Sequence, residues 1–147
     1  MMYANPFYLL SVILILLGAC GPSKEELAHA AEENAWAEMM KIHDEVMPKT
    51  SEIVGLYTAL KKSDTQKMKT NELSNEVLKS ILALEDAEEA MFAWMNELKN
   101  LNVLRPQKNH EEIMKYLKQE THKIVSIRNQ MLTALEEGNK VLNKLSS

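Results

Sequence analysis

Between residues 70 and 100, apolar side chains recur at Leu73, Val77, Ile81, Leu84, Ala87, Met91, Trp94, Met95 and Leu98, in steps of three and four almost without a break. That is the period of one helical face, and it does not suit a strand, whose alternate residues share a side. A stripe of this length makes a helix of about 30 residues, roughly 45 Å long, that must bury one side from end to end. Other long helices are the natural cover, and the chain supplies two more stripes. One runs through Leu27, Ala31, Trp36, Met39, Met40, His43, Val46 and Met47, is interrupted by Pro48, and resumes at Ile53, Leu56, Tyr57 and Leu60. The other runs through Ile113, Leu117, Ile124, Ile127, Met131, Leu135, Val141, Leu142 and Leu145, with Gly138 inside it.

Local signals set the ends. Ser23 with Glu26 is a capping box that opens the first helix near Lys24, and Asn109 with Glu112 repeats the pattern before the last stripe. Pro48 has no amide hydrogen and must kink the first helix or divide it in two. The polar stretch Lys61 to Lys69 and the breaker Arg105-Pro106-Gln107-Lys108 mark the turns. Gly138 should weaken its helix by about 1 kcal/mol relative to Ala and allow a bend there. The expected fold is all-α: an elongated antiparallel three-helix bundle over 24–147, with coiled-coil character and a first helix kinked at Pro48.

Ahead of the bundle lies a different kind of segment. Ala4 to Ala19 carries no charge and ends on Cys20, the only cysteine. The run Leu17-Gly18-Ala19-Cys20 resembles the lipobox of bacterial lipoprotein precursors. The resemblance implies that 1–19 is a signal peptide, cut after Ala19, and that Cys20 carries the acyl chains of a membrane anchor. Residues 20–23 are then a lipidated tether. One departure from a secretory signal is the lack of Lys or Arg near the start. The apolar core Phe7 to Ala19 is short for a membrane span, which asks for about 20 residues. Two acyl chains anchor a protein where one does not. Gly21, where Asp would suggest inner-membrane retention, points to the outer membrane, facing the periplasm or the cell surface.

Composition removes several functions. The net charge of −4 lies wholly after the leader and offers no basic face for nucleic acid. With Cys20 lipidated there is neither a disulfide nor a thiol nucleophile. Only four glycines are present, and no Gly-rich phosphate loop, Gly-x-Ser-x-Gly elbow or His-Glu-x-x-His motif occurs. Tyr57, Tyr116 and the carboxylates form no nucleophile–base set, so the expectation is a non-enzyme.

Methionine and histidine form the one notable constellation. Trp36, Met40, His43 and Met47 share a helical face, and Met91 and Met95 lie one turn apart beside Trp94. A hairpin turning near Gln66 sets His43 level with Glu89 and Met40 with Phe92. Thioethers and imidazole suit Cu(I), so Met40, His43, Met47, Met91 and Met95 form a candidate copper site. Core packing explains the same residues, since Met fills irregular gaps against aromatic rings and His43 could bond a carboxylate across the interface. Haem held by Met91 and His43 ranks below copper, because a tight three-helix interface leaves little room for it. Glu26-x-x-His29 has ferritin-type spacing but no second copy. His110 and His122 are expected in solvent, and Glu85-Asp86-Ala87-Glu88-Glu89 reads as a solvated face or one matched to a basic partner.

The windows His43-Asp44-Glu45-Val46-Met47-Pro48 and Met91-Phe92-Ala93-Trp94-Met95 resemble those of small helical bacterial lipoproteins, some labelled viral A-type inclusion protein. That resemblance implies a helical lipoprotein and no activity. The expected role is a membrane-anchored binding or structural module of the cell envelope, with a protein partner or self-association. The alternative is a Cu(I)-handling lipoprotein.

Overall fold

The computed structural model describes residues 21–67 and 71–146, apart from the side chains of 64–67, 71 and 72. The leader and Cys20 lie outside the described residues. The rest is helical: α1 (Lys24–Val46), α2 (Lys49–Lys67), α3 (Asn71–Glu97), the short α4 (Leu101–Leu104) and α5 (His110–Ser146).

Both capping boxes form. Ser23 Oγ accepts from the Glu26 amide at 3.1 Å while the Glu26 carboxylate accepts from the Ser23 amide at 2.6 Å. Asn109 and Glu112 do the same reciprocally, each at 3.0 Å. Pro48 produces a bend rather than a turn-back. Met47 keeps helical angles and its amide still bonds His43 O at 2.7 Å. Thr50 then satisfies the Met47 carbonyl twice, from its amide at 3.1 Å and its hydroxyl at 2.8 Å. The Met47 carbonyl at the bend is thus covered from the first turn of α2.

Between α3 and the predicted breaker lies a short helix that the periodicity did not mark. Asn100 Oδ1 caps it at the Val103 amide, and Leu101 and Leu104 bury themselves against the core. Arg105 to Lys108 then make the turn as expected.

One apolar core joins the elements. Met39, Val46, Ile53, Leu60, Val77, Leu84, Met91, Ile113, Leu117, Ile124 and Met131 are essentially inaccessible. Helix α5 packs on α1, α2 and α3, and α2 packs on α3. Glu76 near the start of α3 meets Lys144 at the end of α5, whereas Trp94 and Lys99 meet Glu120 and Tyr116 in its first half. Helix α5 runs through Gly138 unbroken. A Cβ there would lie 2.7 Å from Leu56 Cδ2 and 3.3 Å from Leu84 Cδ1. The glycine that looked like a weak point lets Leu56 of α2 and Leu84 of α3 pack close against α5.

Candidate functional site

Two buried polar clusters lie along α1. The first centres on Glu32, which is 2 % exposed. Its Oε2 accepts from Arg105 Nε and its Oε1 bonds His110 Nδ1, each at 2.9 Å. Arg105 also pairs with Glu33 at 2.9 Å and reaches the His29 carbonyl at 3.4 Å. Burial pushes the Glu32 carboxyl up, but the hydrogen bonds from Arg105 and His110 outweigh it and hold the group below its usual range. The bond to Glu32 in turn raises Arg105 further. His110 is exposed, as expected, yet tied to this buried acid. The cluster pins the start of α1 to the α4–α5 turn.

The second cluster crosses the bundle higher on α1. The His43 ring lies 5.8 Å from the Trp94 ring at 34°. Trp94 Nε1 donates to Glu120 Oε2 at 2.9 Å, and Lys123 donates to Glu120 Oε1 at 2.8 Å. Glu120 is itself buried, and its hydrogen bond raises the pKa of Lys123. On His43, Nδ1 sits 2.9 Å from Asp44 Oδ1, while Nε2 is buried with no hydrogen-bond partner. The carboxylate expected across the interface is therefore the next residue along the same helix.

The predicted copper ligands divide by burial. Met91 is fully buried and His43 is 9 % exposed. Met40 and Met47 are half-buried against the core, and Met95 is 38 % exposed near the end of α3. Met39, not Met40, is the fully buried methionine of that pair. The hairpin register is also displaced: the His43 ring meets Trp94 rather than standing level with Glu89, and Met91 lies one turn before Trp94 on α3. Among the described residues no three His, Cys, Asp or Glu side chains gather to hold a metal. Glu26 and His29 are exposed and apart from any such group, and His122 is exposed.

Elsewhere, α3 and α5 flank a groove of about 860 Å³, lined by side chains such as Ser80, Ala83, Asn129, Thr133, Glu137 and Lys140. Exposed Leu78, Leu82 and Phe92 share a flank of α3 with Glu85, which pairs with Lys61 of α2 at 3.5 Å. No described helix is long and apolar enough to cross a membrane. Compared with known proteins, the chain matches no family model, no curated protein and no solved structure. Fold and side-chain geometry alone define its class, a helical bundle with a bent first rod.

Proposed function

We propose that this is a lipid-anchored, non-enzymatic helical module of the bacterial cell envelope. The uncharged run ending at Leu17-Gly18-Ala19-Cys20 carries the proposal. Residues 1–19 direct export and are removed, Cys20 receives the acyl chains, and residues 20–23 tether the domain 24–147 close to the membrane surface. The domain is an elongated antiparallel three-helix bundle: α1 with α2 as one bent rod, α3 returning, and α5 returning again. The order of contacts between α3 and α5 supports that topology, as does the packing of α1 and α2 on α5. Its long sides serve a protein partner or a second copy of the chain, and the exposed Leu78, Leu82 and Phe92 favour such a contact.

The test is metabolic labelling of the full chain with radioactive palmitate in a bacterial host. Label, membrane recovery and a mass consistent with cleavage after Ala19 are expected, all lost in Cys20→Ser. An unlabelled full-length chain in the soluble fraction would overturn the reading.

A further inference from the structure

Among the described residues, Nε2 of His43 is the one buried side-chain nitrogen or oxygen that the fold leaves without a partner. Native interiors rarely tolerate such an atom without a use for it. Its sister nitrogen is well held, since Nδ1 lies 2.9 Å from Asp44 Oδ1. An ionised carboxylate can only accept, so in the neutral ring the proton sits on Nδ1 and the lone pair on Nε2. Proteins present imidazole to a metal in this way, with an outer carboxylate fixing tautomer and ring orientation.

The surroundings specify which ion. Met39 and Met47 lie one turn before and one turn after His43 on its own face of the bent rod. Met91 lies one turn before Trp94, whose indole the His43 ring contacts. Met39 and Met91 are fully buried, while Met47 at the bend is half-buried. One helical turn to either side of His43 on its own face the donors are thioethers, and across from its ring stands the Trp94 indole. Magnesium, calcium and zinc want oxygen, or several nitrogen and thiolate ligands; thioether with imidazole suits Cu(I). An indole face adds attraction for a monovalent cation that has shed its water. Glu120 locks that indole in place through Nε1.

We propose that His43 Nε2, together with thioethers from Met39, Met47 and Met91, binds one Cu(I) ion against the face of Trp94. This goes beyond the anchored-module reading, which stands or falls on Cys20. Exposed Met95 is not part of the site.

The test is an anaerobic Cu(I) titration of the full chain carrying Cys20→Ser, against a chromogenic Cu(I) chelator. Removing Cys20 keeps its thiol from competing for the ion. One equivalent should bind, and in a Trp36→Phe background, where Trp94 is the remaining indole, fluorescence should be quenched in step. His43→Gln should weaken binding by about 100-fold or more, and Met91→Leu by about 10-fold, at an unchanged far-ultraviolet circular dichroism spectrum. Should His43→Gln fail to fold, Asp44→Asn substitutes for it: exposed Asp44 sets the ring tautomer, and its loss should weaken binding about 10-fold. A folded chain that takes up no Cu(I) would overturn the site. So would uptake that survives His43→Gln, or uptake indifferent to Met39→Leu, Met47→Leu and Met91→Leu alike.

Discussion

Glu32 and His43 stand about three turns apart on α1, both buried, both titratable, and treated in opposite ways. Glu32 has each oxygen matched to a donor, and those donors come from the α4–α5 turn. His43 has one nitrogen matched, by its immediate neighbour, and one left bare in the interior. A fully satisfied buried charge ties elements together, and breaking it leaves partners stranded. A half-satisfied buried ring ties nothing together on its bare side. The first arrangement is architecture, and the second is a cost to the fold that binding can recover.

Replacing Glu32 therefore gives the largest expected effect. Glu32→Ala leaves a cavity, strips His110 of its partner and leaves Arg105 with Glu33 alone. Because Arg105 and His110 are partly exposed, the loss should be about 2–3 kcal/mol rather than the full penalty of a stranded interior charge. A lower denaturant midpoint at constant slope would register it. The same group gives a pH signature. Its folded pKa lies below the usual 4.5, so its contribution is complete above that pH and is lost as acid carries the folded group through its own pKa. Wild type should thus lose more stability than Glu32→Gln on acidification below about 4.5. Equal acid sensitivity in the two would show that Glu32 does not lock the turn.

Gly138 follows, as the apolar counterpart of that lock. Leu at this position would push into Leu56 and Leu84 and should cost about 1–3 kcal/mol by overpacking. Gly138→Ala presses a single methyl against Leu56 and Leu84, which must shift slightly, but regains about 1 kcal/mol of helix propensity, so its melting temperature should stay close to wild type. Next is Trp94→Phe, which keeps a ring beside His43 but removes the donor to buried Glu120. An expected loss of about 1–2 kcal/mol would appear in thermal melts.

The helices were legible in the sequence because periodicity, capping boxes and Pro48 are local signals. The polar clusters were not, because they depend on what lies opposite. Glu32 and Glu120 sit among other charged residues, where a charge normally faces water, and nothing local says that Arg105 or Trp94 will meet them. Arg105 read as part of a breaker because its pairing with Glu32 joins distant parts of the chain. The Leu101–Leu104 helix is too short for periodicity to register. In the methionine windows, the stripe did not tell how deep each methionine lies. Met95 continues the stripe of Met91, yet lies near the end of α3, where it is 38 % exposed. Choosing Met39 over Met40 required the helix crossing itself.

The smallest expected effect is the most informative about the contrast between the two clusters. His43→Leu deletes a buried ring but also deletes the unpartnered Nε2, and Leu can pack against Trp94 in the apolar core. Losing an unsatisfied acceptor offsets lost ring contacts, so stability should change by no more than about 1 kcal/mol in either direction. Chemical denaturation of metal-free protein measures this directly. A loss of about 3 kcal/mol would make His43 architecture like Glu32 and would argue against a binding role for its bare nitrogen. Near-neutral stability would mean the metal-free fold does not depend on the imidazole. Added Cu(I) would then stabilise wild type and leave His43→Leu unmoved, because a ligand that binds only the folded state raises its stability through that binding alone.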